Sequence, residues 1–600
     1  MKLKNLASNH QPQNDEEIKI KAKIDKESII LYWDEEVESW FLQENERNKI
    51  PKNGILTILP NKAPYKDHFN RKLSLSLNCL NKLKNDPGAR GSEVLRSIFL
   101  QKKRIRSTKE EDIDVDKLSE ELSLGDLYKR LGKGQKIVVK DFFKSVSIVI
   151  NGVAGTGKTE IGAFISILNA LMGKKILISS EKNNAIDNLL KRIHQLKKDN
   201  HSINIVRFKS KSHEINDKNL TQYEIKKQID SISKQITKEC SKNKRYRDLA
   251  TNFQEIFTNT DTLSHLVSLT YDIIISTYGM ITEKQCLRNS LQNYDLNLIE
   301  ASSSVNLNLA SLGLSSSKKW LFLNDEDQIT PLSPDMFLLG QPLIFPKANE
   351  LQNAQKYDPK TKRISKAKIN WGNKEYNRSV ASIFNEISEG ENLKKSTLKN
   401  QYRIHPNLYR VICHAFNKEY IDPAKKNDPK ISPNKHISLF NRKDRLKYIQ
   451  MDKDEILSHM GIRIANIVDK ILSEKESDTL IEIGVACTDV ESLKKIIYSY
   501  GMEKHQTKPL LKKNTYSEAI DRINIVFSSI HNHQEREYDI FILGVVNIRS
   551  KNFKKRIYTA LTRASKFCFV FGPKIKPIYK ISNYLDKNKK ILEKLQEGGN

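Results

Sequence analysis

Residues 152–159 read Gly-Val-Ala-Gly-Thr-Gly-Lys-Thr, three glycines followed by a lysine and a threonine within eight residues. The apolar run at residues 147–150 predicts a buried strand before it, and the apolar spacing of residues 161–171 predicts a helix after it. A glycine-rich loop between a strand and a helix closes backbone N–H groups around phosphate, and the start of the helix adds its positive dipole end. The stretch therefore predicts a nucleotide-binding loop rather than a structural turn.

Single residues of the loop have separate tasks. Lys158 is placed to reach the β- and γ-phosphates of a nucleotide, and the Thr159 hydroxyl is placed to ligate Mg²⁺. A structural turn would not explain a Lys-Thr pair at the start of a helix. The residues expected to bring the backbone close to the phosphates are Gly152, Gly155, Thr156 and Gly157.

The chain is long and strongly basic. Its 600 residues are too many for one core, so roughly two to four domains are expected. With 102 Lys and Arg against 72 Asp and Glu, the formal net charge is +30, which favours nucleic acid or an anionic membrane surface as partner. A Lys-rich composition that reflects genome bias is the alternative explanation of this charge.

The cysteines and the apolar runs indicate the compartment. The six cysteines are scattered and form no CxxC pair, which argues against a zinc module and against a disulfide framework. The N-terminus has no apolar signal core, and no apolar run reaches the roughly 18–20 residues of a membrane helix. We therefore expect a soluble monomer in the cytoplasm or the nucleus, with no membrane partner.

Two series of alternating strands and helices follow one another, which is typical of parallel α/β domains. We expect an α/β fold with one such domain at residues 126–340 and a second at 341–575. A charged helical insertion is expected at 215–258. The predicted strands of the first domain are 147–150, 175–179, 203–208, 272–276, 296–299 and 320–323, and those of the second are 481–486, 524–527, 540–546 and 567–571.

The two ends of the chain are less informative. Residues 1–125 are expected to form an accessory domain of unknown function, with strands at 28–33 and 54–59 and a possible protein partner. Residues 576–600 form a basic tail with a predicted helix at 586–596.

Further motifs appear in a defined order after the loop. Residues 324–331 read Asn-Asp-Glu-Asp-Gln-Ile-Thr-Pro, residues 401–406 read Gln-Tyr-Arg-Ile-His-Pro, and residues 560–564 read Ala-Leu-Thr-Arg-Ala. ATP hydrolysis needs ligands for phosphate and Mg²⁺, a carboxylate that orients water, and cations for the charge that spreads onto the γ-phosphate. A phosphate loop in the first α/β unit alone suggests an ATP cleft between the two units.

On these motifs the sequence resembles the superfamily 1 helicases, specifically the Upf-like branch that translocates 5′ to 3′. The resemblance extends over roughly residues 135–572. It implies two tandem RecA-like domains, ATP and Mg²⁺ as cofactors, and single-stranded DNA or RNA as partner.

The resemblance also gives roles to residues of the ATP cleft. Gln135 matches a glutamine that reads adenine, for which an amide offers both a donor and an acceptor. Gln328 would sense the γ-phosphate, and Glu537 would hold the ribose. Arg403 and Arg563 would be the two cations, the latter as a cis arginine finger, which contributes about 10³–10⁵ in rate. The alternative for Gln135 is an ordinary surface glutamine, and the alternative for Arg403 and Arg563 is that they form structural salt bridges.

Three positions match the family's contacts to a nucleic-acid strand: Asn183, Thr277 and Ser529. Side chains of this kind bind phosphate and sugar without reading bases, so binding should be largely independent of sequence. Helix capping is the alternative role of Asn183 and Ser529.

The acidic motif of the fourth strand departs from the family's Asp-Glu pair, since Glu300 is its single acid. In one register Glu300 is the water-orienting carboxylate and Ile299 occupies the place of the Mg²⁺-linked aspartate. In the other register Glu300 is the Mg²⁺ partner and no catalytic acid remains. Asp295 lies about 16 Å away along a strand and cannot substitute. Asp325, at the end of a neighbouring predicted strand, is the more plausible replacement.

A later motif departs as well, with His531 where the family has Asp and Glu535 where it has Gly. These departures leave three hypotheses. The first is an ATP-dependent helicase or translocase, and the second is a degenerate, ATP-gated nucleic-acid-binding protein with weak or no hydrolysis. The third is a signalling NTPase or kinase with no strand partner, although such a protein needs no second domain that carries arginines.

Overall fold

We describe the protein from a computed structural model of the whole chain. The residues that the structure describes are 19–24, 27–34, 39–42, 56–58, 113–145, 147–198, 201–210, 213–215, 217–241, 270–283, 294–305, 307–314, 316–325, 328, 357–358, 363–364, 394–416, 445–473, 480–487, 492–497, 517–520, 523–528, 530, 533, 536–545 and 553–573. Ser529, the later-motif residues His531 and Glu535, and the predicted helix 586–596 lie outside these ranges.

An antiparallel sheet of four short strands lies near the N-terminus and includes both strands predicted there. Its spatial order is β3-β2-β1-β4. Three helices then lead to the first large sheet: α1 (Val115–Glu121), α2 (Gly125–Arg130) and α3 (Lys133–Phe143). The strands of the N-terminal sheet are β1 (Lys19–Ile24), β2 (Glu27–Asp34), β3 (Ser39–Leu42) and β4 (Leu56–Ile58).

The first large sheet has seven parallel strands in the order β13-β5-β10-β9-β6-β8-β7. All six strands predicted for the first domain are present in it. Between its last two strands in the chain lies a separate two-stranded pair, β11 (Tyr357–Asp358) and β12 (Arg363–Ile364). The strands of the large sheet are β5 (Ser147–Gly152), β6 (Ile176–Ser180), β7 (Ile205–Phe208), β8 (Ile273–Thr277), β9 (Tyr294–Ile299), β10 (Ser317–Asn324) and β13 (Lys394–Leu398).

Strand β13 was not predicted, and it extends the first sheet beyond the expected domain boundary at residue 340. Its sequence, Lys-Lys-Ser-Thr-Leu, places two exposed lysines first and buries only Ser396 and Leu398. Lysines are common on strands at the edge of a sheet, where they prevent pairing with other chains. The strand therefore lacks the apolar run by which the inner strands are recognised.

The helices of the first domain cover the two faces of its sheet. Helix α4 follows the phosphate loop and is buried along most of its length, since it packs against α3, α5 and the sheet. Helix α6 and the short 3₁₀ helix Lys218–Tyr223 lie within the predicted insertion. The remaining helices begin and end as follows: α4 (Lys158–Leu171), α5 (Asn183–Leu196), α6 (Ile225–Ser241), α7 (Tyr278–Glu283) and α8 (Leu307–Leu314).

The second large sheet has the order β14-β19-β18-β15-β17-β16, in which five strands are parallel and β16 is an antiparallel edge strand. All four predicted strands are present. Helices α9 (Pro406–Phe416), α10 (Ile456–Ser473) and α11 (Phe553–Leu561) accompany it. The strands are β14 (Leu446–Gln450), β15 (Ile481–Ala486), β16 (Ser517–Ile520), β17 (Ile523–Ser528), β18 (Tyr538–Gly544) and β19 (Ala564–Gly572).

The predicted α/β class with two tandem parallel-sheet domains is therefore confirmed. Each domain buries its own apolar core between sheet and helices. Among the helices within the described ranges, none is both long enough and apolar enough to cross a membrane.

Strand order in the first sheet determines which loops become neighbours. Strand β10 lies between β5, which leads into the phosphate loop, and β9, which leads into Glu300. Because these strands are parallel, their carboxyl ends meet at one edge of the sheet, where α/β proteins bind their ligands. The fold thus brings residues 152, 300 and 325 to a common edge.

Candidate functional site

The phosphate loop depends on two glycines in left-handed backbone conformation. Gly155 has φ of +86° and Gly157 has φ of +87°. A Cβ atom added to Gly157 would lie 2.2 Å from Nε2 of Gln135, and one added to Gly155 would lie 2.7 Å from Cβ of Arg403. Both positions therefore require glycine for two reasons: the positive φ angle and the lack of space for a Cβ atom.

Lys158 and Thr159 lie at the start of α4, where the sequence predicts them. The Lys158 ammonium donates to the carbonyl oxygens of Gly152 (2.7 Å) and Val153 (3.2 Å), so it lies within the curve of the loop. The Thr159 hydroxyl donates to Oε1 of Glu300 at 3.3 Å. The loop thus presents one cation and one hydroxyl next to a carboxylate from a different strand.

Glu300 is buried at the end of β9, with 3% of its surface exposed. Its backbone N–H donates to the carbonyl of Ser179 at 3.0 Å, and Ala301 then takes the left-handed conformation with φ of +52°. A hydroxyl and a carboxylate are the hard oxygen ligands that Mg²⁺ prefers, so Thr159 and Glu300 fit that metal. Their contact favours the register in which Glu300 is the Mg²⁺ partner.

A second buried carboxylate, Asp325, follows β10 and faces the other side of the loop. Its Oδ2 lies 3.8 Å from the Lys158 ammonium. The same oxygen accepts a hydrogen bond from Nε2 of Gln328 at 3.2 Å. Gln328, the predicted γ-phosphate sensor, is therefore oriented by a carboxylate that contacts the loop lysine.

Gln135 bridges the start of α3 and the phosphate loop. Its Oε1 accepts from the Gly132 N–H at 2.9 Å, and its Nε2 donates to the Thr156 carbonyl at 3.4 Å. Both halves of the amide thus have backbone partners, and the side chain is buried. It is not a surface glutamine, and reading adenine would require it to exchange at least one of these bonds.

The Gln-Tyr-Arg-Ile-His-Pro segment folds against the loop through residues to which we had assigned no role. The amide of Gln401, fully buried, accepts from the Ile404 N–H (3.0 Å) and donates to the Ile404 carbonyl (2.8 Å). The Tyr402 N–H donates to the Gly155 carbonyl at 2.7 Å. The glutamine two positions before Arg403 was the available signal, because its amide can satisfy the backbone of the turn that presents the arginine.

Arg403 and Glu537, both predicted for the ATP cleft, meet in an ion pair between Nη2 and Oε1. Arg403 precedes α9, and Glu537 immediately precedes β18 of the second sheet. A nucleotide that used Arg403 for its phosphates and Glu537 for its ribose would have to replace this ion pair with its own contacts.

Arg563, the predicted arginine finger, is fully buried in the second domain. Its guanidinium donates to the carbonyls of Thr559 (3.0 Å) and Arg536 (3.3 Å) and to the hydroxyl of Thr562 (3.3 Å). These bonds join the end of α11 to the segment before β18. Its role as a finger stays a prediction, and the structure adds a structural role.

The predicted strand contacts have internal partners. Oδ1 of Asn183 accepts from the fully buried guanidinium of Arg207 (2.7 Å), which also pairs with Asp187 (2.9 Å). The Thr277 hydroxyl accepts from the Met280 N–H at 3.4 Å and so caps α7. Burial would raise the pKa of Asp187, but the hydrogen bond from His213 and the charge of Arg207 outweigh it and hold that pKa below its ordinary value.

A direct link joins the two domains next to Asn183. Nη2 of Arg536, in the second domain, donates to Oδ1 of Asn184 at the start of α5 in the first domain, at 3.3 Å. Neither residue was among our predicted site residues. Their pairing depends on how the domains meet, which no local pattern reveals.

His533 anchors the segment that carries Arg536 and Glu537. Its Nε2–H donates to the Val485 carbonyl at 2.9 Å, and its Nδ1 accepts from the Tyr538 hydroxyl at 2.7 Å. Burial, strengthened by neighbouring arginine charge, lowers the pKa of His533 to about 4, so the ring is neutral at physiological pH. A neutral ring is what this donor–acceptor pair requires.

Comparison with solved structures gives likenesses at low sequence identity. The crystal structure of the arterivirus helicase, nonstructural protein 10, is 9% identical, with a TM-score of 0.31, and the match covers 73% of this chain and 61% of that one. The complex of that protein with DNA has the same identity and TM-score, and the match covers 75% of this chain and 65% of that one. The chain thus spans less than two thirds of the length of each. No curated protein matches the chain.

Family models match most of the region that contains the two large sheets. One model, described as an AAA domain, matches residues 130–389, and a second, also described as an AAA domain, matches residues 380–575. The first match includes the phosphate loop, Glu300 and Gln328, and the second includes Arg403 and Arg563. The chain therefore carries two consecutive regions that match AAA domain models.

Proposed function

We propose that the protein is an ATP-dependent helicase or translocase that moves 5′ to 3′ along single-stranded DNA or RNA. The observation that carries the proposal is the convergence of the phosphate loop, Glu300, Asp325 and Gln328 at one sheet edge, with Arg403 paired to Glu537 beside it. A nucleotide bound to this loop would contact side chains associated with both sheets. Its hydrolysis would then change how the two domains meet.

The residues divide the work on the nucleotide. The loop N–H groups and the Lys158 ammonium bind the phosphates, and Thr159 with Glu300 would hold Mg²⁺, which neutralises phosphate charge when bound. Gln328 contacts the γ-phosphate from the edge of β10. Arg403 supplies positive charge from the second-domain side of the nucleotide. Arg563 would supply a second positive charge there once the second domain rearranges. Gln135 would recognise adenine after exchanging its bond to the loop.

Strand binding is proposed at the junction of the domains, next to the Asn184–Arg536 contact. On the first-domain side, Asn183 is the first residue of α5, which follows β6, and Thr277 is the last residue of β8. The net charge of +30 fits a polyanion partner, and the contacts would go mainly to the backbone. Affinity for a single strand should therefore fall steeply as salt rises, because phosphate contacts release counterions.

The test compares ATP turnover with single-stranded DNA, with single-stranded RNA and with no strand. The expected result is stimulation by at least one of the strands, and loss of all turnover in Lys158→Ala. Duplexes with a 5′ or a 3′ single-stranded tail then report direction, and the 5′-tailed duplex should be unwound. Turnover that no strand changes, together with strand affinity that does not respond to salt, would refute the proposal.

A second candidate is a nucleic-acid-binding protein gated by ATP, with weak or no hydrolysis. The observation that favours it is the single acid after β9, whose carboxylate already contacts Thr159. This candidate predicts that ATP changes strand affinity and that no phosphate is released. Filter binding with and without ATP, next to a phosphate-release assay, separates the two candidates.

A further inference from the structure

We propose that Asp325 is the carboxylate that orients the attacking water, and that Glu300 serves the Mg²⁺ side. Two acids that would stand together at the end of one strand are then divided between two adjacent strands. The inference rests on the ATP hydrolysis proposed above. It assigns the water-orienting acid that the single-acid motif after β9 leaves unfilled.

Strand order makes the division possible. Strand β10 pairs on one side with β5, with Leu323 opposite Ile150, and on the other side with β9, with Phe322 opposite Ile299. Asp325 and Glu300 therefore leave neighbouring strands at the same edge of the sheet. Of the two strands, β10 is the one next to the strand that leads into the phosphate loop.

Contacts assign the two carboxylates to different parts of a nucleotide. Glu300 lies 3.3 Å from the Thr159 hydroxyl, the loop's ligand for Mg²⁺. Asp325 lies 3.8 Å from the Lys158 ammonium, which reaches toward the β- and γ-phosphates. Of these two carboxylates, Asp325 is thus the one that pairs with the lysine of the γ-phosphate position.

Gln328 supports the same assignment. Its Nε2 donates to Asp325 Oδ2 at 3.2 Å, and its backbone N–H donates to the Asp325 carbonyl at 3.3 Å. These two bonds fix the amide of Gln328 next to the Asp325 carboxylate. A water beside this pair, next to the γ-phosphate, would donate to the carboxylate and accept from the second N–H of the amide, and these two bonds would fix its direction.

Asp295, the other acid on β9, is placed elsewhere. Its carboxylate accepts from the Lys318 ammonium at 2.9 Å and from the Lys175 N–H at 3.0 Å. It lies near the start of β9, five positions before Glu300, or about 16 Å along the strand. This makes it a matched control, since it is a carboxylate of the same sheet at the opposite edge.

The proposed step is the hydrolysis of ATP. The water oxygen forms a bond to the γ-phosphorus, and the bond from that phosphorus to the β–γ bridging oxygen breaks. The electron pair of the broken bond leaves with ADP. The proton of the water passes to the Asp325 carboxylate and from there to the inorganic phosphate, so Asp325 ends the cycle ionised.

The test compares Asp325→Asn, Glu300→Gln and the control Asp295→Asn in the full chain. Asp325→Asn should lower strand-stimulated turnover by about 10²–10⁴ while affinity for a fluorescent ATP analogue stays near that of the wild type. It should also lose the extra thermal stabilisation that ADP with aluminium fluoride gives over ADP alone. Glu300→Gln should instead need about tenfold more Mg²⁺ for half-maximal nucleotide binding, and Asp295→Asn should behave like the wild type in each assay.

A second pair of variants protects the test against a folding defect. Asp325→Glu and Asp325→Gln have the same length and differ in charge, so turnover restored only by Asp325→Glu supports the proposal. Wild-type-like turnover in Asp325→Asn, or loss of turnover in Glu300→Gln with an unchanged Mg²⁺ requirement, would overturn the inference and leave the proposed function intact. A wild-type protein that hydrolyses no ATP would overturn both.

Discussion

The two sides of the proposed ATP cleft differ in how their functional side chains are held. On the first-domain side, Thr159 already contacts Glu300, and Lys158 already contacts Asp325. On the other side, Arg563 is bonded to its own domain. The first side is thus assembled in advance, and the second must change partners before it can act on a nucleotide. Under the proposed function, this asymmetry predicts that the conformational response to ATP occurs on the arginine side.

The largest effect is expected from removing the lysine of the phosphate loop, on the side whose residues are already in contact. Lys158→Ala should abolish nucleotide binding and turnover, because no other cation among the described residues bonds to the loop carbonyls in this way. Binding of a fluorescent ATP analogue measures it. The control is Lys117→Ala, an exposed lysine of α1 that pairs with Glu121. Nucleotide binding by Lys158→Ala at wild-type strength would contradict the assignment of the loop.

The two arginines should differ when each is removed. Arg403→Ala should cut turnover by about 10³-fold with little change in stability, because Arg403 is partly exposed and its pair with Glu537 contributes no more than about 1 kcal/mol. Arg563→Ala should cut turnover and also lower the free energy of unfolding by about 3 kcal/mol, since three hydrogen bonds of a buried group are lost.

Phosphate release and thermal melting, measured on the same samples, separate these two arginine effects. Equal melting temperatures for the two variants would show that the burial of Arg563 does not stabilise the second domain.

Glu537→Gln is a sharper test of the ion pair. If Glu537 holds the ribose after releasing Arg403, the wild type should prefer ATP to 2′-deoxy-ATP, and the variant should not distinguish them. Competition between the two nucleotides for the binding site measures this preference. An unchanged preference in the variant would mean that Glu537 serves only as the partner of Arg403.

The smallest effect concerns pH and the second domain. Burial lowers the pKa of His533 to about 4, and burial with the nearby Arg445 lowers that of His405 to about 4, both from 6.5. Between pH 4 and pH 6.5 the unfolded chain therefore binds more protons than the folded chain. The contribution of the neutral rings to the free energy of unfolding is fully present above pH 6.5 and is lost as the pH falls toward 4. At pH 5 the loss from His533 should be about 2 kcal/mol.

Thermal melting at pH 7.5 and pH 5 measures this loss. In His533→Gln the difference between the two pH values should shrink, and in His459→Gln, which changes an exposed histidine of α10, it should not. An equal pH response in wild type and His533→Gln would contradict a buried neutral ring.

The sequence predicted the inner strands well and the edge strand poorly. Inner parallel strands such as β5 and β10 are apolar throughout because both faces are covered, and this pattern is local. Strand β13 has only two buried residues, so nothing local marks it. Similarly, the site residues in the loop could be predicted because they are neighbours in the sequence. The Asn184–Arg536 contact could not, because it joins residues that are 352 positions apart.

The phosphate loop, its glycines, the two α/β series and the positions of the acids and arginines can all be read from the order of residues along the chain. Those features depend on residue type and spacing over a few turns or strands. Only the tertiary structure decided that Glu300 faces Thr159, that Asp325 faces Lys158, and that Arg563 and Asn183 are bonded inside their own domains. The physical reason is that these partners are chosen by strand order and by how the elements pack, which bring together residues from distant parts of the chain.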